Sequence, residues 1–178
     1  MNIKENNIKI IENYGPIIII IISIFNLFSK QKYLFYYIIG IVVNTILNFT
    51  LKNIIKEKRP SLFYKEYNLS ELATDISKKN DYKVSINAYG MPSGHAQNLG
   101  FSLGFMFLFI KNSYLLWIYL IISLITLFKR YINHKHGINQ LLIGFLIGLI
   151  IGFIFYKIAN HSIKGNISRK KEDNSFFF

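Results

Sequence analysis

The chain has 178 residues, 52% of them hydrophobic and 16% aromatic, and its mean hydropathy is +0.31. It contains no cysteine, which excludes a disulfide framework and a thiolate metal site. In a soluble protein the formal charge of +12 would suggest a nucleic-acid partner, but here the basic residues lie in short loops and a tail, which favours lipid headgroups over nucleic acid.

Five apolar runs without a charged side chain follow one another: residues 15–28, 33–51, 96–110, 113–128 and 138–156. About 20 mostly apolar residues span a bilayer, and the second and fifth runs come close to this without their flanks. We therefore expect an all-α integral membrane bundle of about five transmembrane helices. Buried parallel strands are the alternative, but they would leave too little polar sequence to cover them.

The chain divides into three parts around this membrane domain. Residues 1–13 are expected to form an interfacial segment, residues 14–158 the membrane-embedded domain, and residues 159–178 a basic, disordered tail. A polar loop covers residues 61–91, and within it a short surface helix is predicted to begin at Asn68.

The alternation of spans brings three polar clusters to one membrane face. They read KNIIKEKRP (52–60), YGMPSGH (89–95) and KRYINHKH (129–136). The second span ends at this face, and the third and fifth spans start from it. We therefore expect the functional site at this end of the bundle.

The first cluster contains one cation at an unusual depth. Lys52 lies nearly two helical turns closer to the hydrocarbon than Arg59, where a charge needs a partner or a water-filled cavity. Lys56 and Lys58 are interpreted as anchors whose charged ends reach the interface. Pro60 is expected to stop the helix.

The second cluster is a loop that becomes a helix. Pro92 is suited to a helix start, Ser93 offers a hydroxyl and an N–H, and Gly94 lets a ligand approach the backbone. A helix N-terminus with exposed N–H groups binds anions, and His95 lies in its first turn. Taken alone, this stretch is equally consistent with an ordinary helix cap.

The third cluster supplies Arg130 and His136, and Gln140 follows one turn later, so the side chains of His136 and Gln140 share a face. His134 is interpreted as a solvated histidine. Because guanidinium groups match phosphate oxygens bidentately, the three clusters together predict a phosphate site with an acid and a nucleophile.

These residues resemble the three-part signature of the type-2 phosphatidic acid phosphatase and vanadium-haloperoxidase superfamily. The matching parts are Lys52-x6-Arg59-Pro60, Pro92-Ser93-Gly94-His95 and Arg130-x5-His136. The third part normally reads Ser-Arg-x5-His-x3-Asp, but here Lys129 and Gln140 replace the Ser and the Asp. This Gln and the run YGMPSGHAQ make the chain most similar to the dolichyl diphosphatases within the superfamily.

The resemblance implies a role for each matching residue. His136 would attack the terminal phosphorus and form a phosphohistidine, and His95 would protonate the leaving oxygen and then activate water. Neither a metal ion nor another cofactor is implied. The groups implied to hold the phosphoryl oxygens are Lys52, Arg59, Ser93, Gly94 and Arg130.

The expected substrate is a polyprenyl, dolichyl-like diphosphate in the membrane, with phosphatidic acid or another lipid phosphate as an alternative. A catalytically inactive relative that binds lipid phosphate is supported only by the missing Asp at position 140. A small channel or transporter would not explain the ordered signature. Oligomeric state stays open.

The short loops at the membrane face opposite the site carry several cations, which favours a cytoplasmic location for that opposite face. The site itself is therefore expected to face the lumen or the outside.

Glycines spaced four residues apart occur in the third and fifth spans. They are Gly100 and Gly104 in the third, and Gly144, Gly148 and Gly152 in the fifth. Such spacing lets transmembrane helices approach closely, so we expect these two spans to pack together. A homodimer face or a lipid-facing stripe are the alternatives.

Overall fold

The computed structural model describes residues 3–60, 89–110 and 112–173, with side chains for residues 13–60, 89–110 and 112–163. These residues form an all-helical bundle, as predicted. The helices are α1 (Ile3–Leu27), α2 (Gln31–Ile55), α3 (Gly94–Phe109), α4 (Ser113–Ile132) and α5 (Ile138–Asp173). Each of the five apolar runs seen in the sequence therefore corresponds to one helix.

Helix α3 is the centre of the bundle. It is apolar on nearly all sides and is buried continuously from Leu99 to Met106, with α1, α2, α4 and α5 packed around it. The ring of Tyr37 in α2 lies 5.4 Å from that of Phe101 and 5.2 Å from that of Phe105, measured between centroids. Because α3 has only 16 residues, it is about 24 Å long, somewhat shorter than the hydrocarbon core.

The surrounding helices turn large apolar side chains outward. Phe25 of α1 is 84% exposed and Phe128 of α4 is 62% exposed, among many such residues. Three segments are long and apolar enough to cross a membrane, namely Gln31–Ile55, Ser113–Ile132 and Ile138–Ile163, and Asn13–Leu27 is a shorter apolar helix. An exterior of this kind is stable only in lipid, so the chain is a membrane protein.

Helices α3 and α5 pack through their glycines, as the spacing predicted. A Cβ atom added at Gly148 would fall on the backbone of α3 at Gln97 and Phe101. One added at Gly104 would fall on the backbone of α5 at Leu149. The two helix backbones are therefore in direct contact, which leaves no room for a side chain between them.

A ladder of amide side chains joins α2 to α3 inside the bundle. Asn48 Nδ2 donates to Gln97 Oε1 (2.7 Å), Gln97 Nε2 donates to Asn44 Oδ1 (2.9 Å), and Asn44 Nδ2 donates to Asn98 Oδ1 (2.8 Å). Amides in an apolar bundle need such partners, so the ladder fixes the register of α2 against α3. That register in turn sets the height of the end of α2 relative to the start of α3.

The chain leaves α2 through Lys56, which has a left-handed φ of 52° and whose N–H donates to the carbonyl of Lys52 (3.0 Å). Residues 57–59 then run beside residues 89–90, with a bridge between Lys58 and Tyr89. The predicted surface helix at Asn68 and the loop as far as residue 88 lie outside the described residues.

Both ends of the chain are more helical than expected. Helix α1 runs without a break from the segment assigned to the interface into the first span. Helix α5 continues to Asp173, so the backbone of residues 159–173 is helical where a disordered tail was expected. A helix already started by a long span extends at little cost through residues of good propensity, such as lysine and arginine.

Candidate active site

The three polar clusters meet at one end of the bundle, as their order predicted. Electrostatic interactions connect them: Lys52 at the end of α2 interacts with Arg59 and with Arg130 at the end of α4. His136, just before α5, interacts with all three cations. His95, in the first turn of α3, interacts with Arg130 and Arg59. Four of the described helices thus contribute a residue at or next to their ends to a single site.

The site is strongly positive. Arg130 is only 6% exposed, while Lys52 and Arg59 are half-buried, and the three charges repel one another. Burial lowers the pKa of Arg59, whose Nε donates to the carbonyl of Tyr89 over 3.5 Å. Cations brought together against their mutual repulsion attract an anion, and guanidinium groups suit phosphate oxygens.

His136 is held by two acceptors on the same ring nitrogen. It is 2% exposed, and its Nδ1 lies 3.1 Å from the carbonyl oxygen of Gly90 and 3.1 Å from Oε1 of Gln140. Because both oxygens accept, Nδ1 carries the proton and Nε2 carries the lone pair. The contact between His136 and Gln140 that the sequence predicted is present, and it leaves the lone pair on Nε2.

The surroundings of His136 also favour its neutral form. Burial, followed by the positive charges of Arg130 and Arg59, lowers the pKa of His136 to about 3, although the bond to Gln140 opposes this shift. At physiological pH the imidazole is therefore uncharged. A neutral imidazole next to three cations is suited to attack an electron-poor phosphorus.

The amide of Gln140 has a defined orientation. Its Nε2 donates to Oε1 of Glu57 (2.6 Å) and to the carbonyl of Lys58 (3.0 Å), while its Oε1 accepts from the N–H of Gly137 (3.3 Å) and faces His136. In the reversed orientation the amide oxygen would face two acceptors, so the network decides the assignment.

Two further residues shape this contact and were not recognised in the sequence. A Cβ atom at Gly90 would lie 2.7 Å from Cδ and 2.8 Å from Nε2 of Gln140, so the amide needs a glycine there. Glu57 contacts Gln140 across 83 positions of sequence. Gly90 was visible as part of the YGMPSGH run, but no pattern in the sequence connected Glu57 with position 140.

Ser93 and Gly94 form the start of α3. The Ser93 hydroxyl accepts from the N–H of Ala96 (3.5 Å), and the Ser93 N–H donates to the carbonyl of Gln140 (3.0 Å), which ties α3 to α5. A Cβ atom at Gly94 would lie 3.1 Å from Oδ1 of Asn48, the amide of the ladder that lies closest to the site.

His95 contacts the first helix. Its Nε2 lies 3.2 Å from the carbonyl oxygen of Asn13, which can only accept, so Nε2 carries a proton and Nδ1 is the other titrating atom. Lys135 also donates to the side chain of Asn13 (3.3 Å). Asn13 was not expected to contact the site, because the sequence placed it at the boundary of an interfacial segment. His134 is exposed, as expected.

Two cavities lie at the site end of α4 and α5. One, of about 500 Å³, adjoins His136 and shares Tyr131 with a second, almost wholly apolar cavity of about 460 Å³. The second cavity is lined mainly by Leu124, Leu127, Phe128, Leu141, Leu142 and Phe145. An apolar cavity between α4 and α5 is thus a neighbour of the cavity beside His136.

Comparisons with known proteins identify the family of the chain. The chain is 31% identical over 130 residues to a protein of Saccharomyces cerevisiae named dolichyldiphosphatase, an alignment that covers 67% of this chain and 49% of the relative. The chain thus spans about half the length of that curated relative. No solved structure matches the chain significantly. A family profile described as the PAP2 superfamily matches residues 32–164, which hold every predicted site residue, and the chain belongs to that superfamily.

Proposed function

We propose that the chain is a membrane phosphatase that removes the terminal phosphate of a polyprenyl diphosphate of the dolichyl type. The observation that carries the proposal is the state of His136, a neutral imidazole whose Nδ1 donates to Gly90 and Gln140 and whose Nε2 keeps its lone pair. Membership of the PAP2 superfamily and the similarity to a dolichyldiphosphatase support it.

In the first step Nε2 of His136 attacks the terminal phosphorus. The bond from that phosphorus to the bridging oxygen breaks, and the lipid monophosphate leaves with its electron pair. His95, in its protonated form, gives the proton on Nδ1 to the leaving oxygen. The product on the protein is a phosphohistidine at position 136.

In the second step a water molecule attacks the phosphorus of the phosphohistidine. Neutral His95 takes a proton from the water at Nδ1, the P–N bond breaks, and inorganic phosphate leaves. His136 regains its lone pair on Nε2, and both histidines return to their starting states. The electron count balances without an oxidant or reductant.

The cations stabilise the negative charge that spreads over the phosphoryl oxygens. Lys52, Arg59 and Arg130 would bind these oxygens, together with the backbone N–H of Gly94 and the Ser93 hydroxyl at the start of α3. Their positive charge takes the part that a magnesium ion plays in many phosphoryl-transfer enzymes, so we propose a mechanism without a metal.

The apolar cavity between α4 and α5 suits the lipid tail. It is lined almost entirely by apolar side chains and shares Tyr131 with the cavity beside His136. A substrate could therefore keep its chain at the membrane level while its diphosphate reaches the cations. This arrangement fits polyprenyl and acyl chains alike, so it supports a lipid substrate rather than one particular lipid.

Phosphate release in detergent tests the proposal. Purified protein should release phosphate from a polyprenyl diphosphate faster than from phosphatidic acid, in the presence of EDTA, and His136→Ala should abolish release. Faster release from phosphatidic acid would move the substrate to that lipid class. Loss of activity in EDTA would exclude the metal-free mechanism. No release from any lipid phosphate would leave a binding protein rather than an enzyme.

A further inference from the structure

We propose that Glu57 is a positioning residue for the nucleophile: its carboxylate and its backbone carbonyl together hold both acceptors of the His136 imidazole. This inference rests on the proposed function for its kinetic consequence. Its structural part, the control of the His136 ring, can be measured without any substrate.

The first acceptor is held by the side chain of Glu57. Oε1 of Glu57 accepts from Nε2 of Gln140 at 2.6 Å, a short bond to a charged acceptor, and Oε1 of Gln140 then faces Nδ1 of His136 at 3.1 Å. The three side chains form a continuous chain from a carboxylate, through an amide, to an imidazole.

The second acceptor is held by the backbone of Glu57. The N–H of Gly90 donates to the carbonyl of Glu57 (2.7 Å), and the carbonyl of Gly90 accepts from Nδ1 of His136 (3.1 Å). One residue thus anchors both oxygens that keep the proton on Nδ1.

The carboxylate supplies what an amide alone lacks. An amide can turn over and present its NH₂ group to the imidazole, which would favour the tautomer with the proton on Nε2 and remove the nucleophilic lone pair. Glu57 makes that turn costly, because the amide oxygen would then face a carboxylate. Glu57 also places a negative charge behind Gln140 at the stage when His136 becomes cationic.

An exchange of the two side chains tests this role most sharply. Glu57→Gln in the wild-type background should lower kcat about 10- to 100-fold with little change in KM, the scale at which groups that orient a reactive residue act. Gln140→Glu should be more impaired, since it brings a second carboxylate against Glu57. In that background the added Glu57→Gln change should raise kcat, because the amide–carboxylate pair is restored in reverse.

The sign of the Glu57→Gln effect is therefore expected to differ between the two backgrounds. If Glu57→Gln lowers kcat by a similar factor in both, Glu57 acts independently of Gln140 and the proposal is wrong. Lys56→Gln is the matched control, because it alters the charge of the neighbouring exposed residue by one unit. It should leave kcat within about twofold. Thermal unfolding and size-exclusion profiles identify any variant that fails to fold.

Nitrogen NMR of the histidine side chains separates this inference from the proposed function. The chain has only four histidines, so ¹⁵N-labelled protein in detergent gives few signals, and those of His136 are assigned by their loss in His136→Gln. Wild-type His136 should be neutral with its proton on Nδ1, and Glu57→Gln should give a tautomer mixture. An unchanged tautomer in Glu57→Gln would overturn the role of Glu57, whether or not the wild type proves to be a phosphatase.

Discussion

At the residue scale, the amide at position 140 performs its role through neighbours that lie far away in the sequence. Its oxygen reaches His136 because the two residues are one helical turn apart, and that part followed from spacing alone. Its orientation depends on Glu57, and its space depends on Gly90. A glutamine can replace a carboxylate as the acceptor here because these neighbours keep its amide oxygen directed toward His136.

Gly90 tests the space around that amide. Gly90→Ala should lower kcat about 100-fold, because the new methyl group would displace Gln140 and with it an acceptor of the His136 proton. For comparison, the wrong histidine tautomer in a serine-protease triad costs about 10⁴ in rate. Steady-state phosphate release measures the effect. Gly137→Ala is the control, because the nearest atom to its Cβ would be 3.9 Å away, and its activity should be close to wild type. Equal losses in the two variants would contradict the role of Gly90.

The charge state of His136 makes stability depend on pH. Its pKa of about 3 in the folded protein lies below the value near 6.5 of an unfolded chain. As the pH falls from about 6.5 toward about 3, the unfolded state takes up the proton first, so stability decreases, whereas above about 6.5 this contribution is constant. Thermal unfolding at pH 7.5 and pH 4.5 should show a smaller decrease for His136→Gln than for the wild type. Equal decreases would mean that His136 is protonated in the folded protein.

The sequence predicted eight candidate site residues, and the structure brings them to one end of the bundle, because each lies at a helix end on the same face. It could not predict Glu57 or Asn13 as contacts. Glu57 contacts Gln140, 83 positions away, and Asn13 contacts His95, 82 positions away. These two contacts depend on the path of the backbone just after α2 and on the position of α1, which the sequence pattern does not show.

At the element scale, the distance between His95 and His136 is set by how closely α3 and α5 approach. The glycine spacing predicted this contact, and direct backbone packing at Gly104 and Gly148 confirms it. The bounds of α2, α3 and α4 also followed from the apolar runs to within a few residues. The start of α1 at Ile3 and the end of α5 at Asp173 did not, because a polar composition indicates that a segment is solvated and does not show whether its backbone is helical.

Gly148 tests this packing. Gly148→Ala should destabilise the protein by about 3 kcal/mol, the upper part of the range for overpacked cores, because the obstacle is the backbone of α3 and cannot rotate away. The separation of α3 from α5 should lower activity in parallel. Leu146→Ala on the exposed face of the same helix is the control, and its thermal unfolding in detergent should stay near that of the wild type. A similar effect at both positions would contradict a close α3–α5 contact.

At the scale of the whole molecule, a short central helix is surrounded by helices that expose apolar side chains to lipid, and the cations at the ends of α2 and α4 lie near its N-terminal end. An apolar cavity between α4 and α5 adjoins this end. Composition and periodicity were sufficient to predict a membrane bundle. They could not reveal that α3 lies at its centre, because α3 is no more apolar than α4, and which helix is enclosed depends on glycine contacts between helices.

The orientation in the membrane is a separate prediction. We expect the site to face the lumen or the outside, since Lys30, Lys32 and other short-loop cations lie at the opposite end. Because the chain has no cysteine, single cysteines can be introduced at exposed positions on the two faces, as His134→Cys and Lys32→Cys. In sealed vesicles whose extracytoplasmic face is turned outward, an impermeant maleimide should label position 134 and spare position 32. The reverse pattern, or glycosylation at Asn160 or Asn166, would place the site in the cytoplasm.

The formation of a phosphohistidine at position 136 is the central claim, and trapping it is the most direct test. Protein mixed briefly with a polyprenyl diphosphate carrying ³²P in its terminal phosphate, then denatured in base, should retain a label that is lost in acid, as a phosphoramidate is. Peptide mapping should place this label on His136, and His136→Gln should carry none. A wild-type protein that releases phosphate but never carries the label, or that carries it at another residue, would contradict the mechanism.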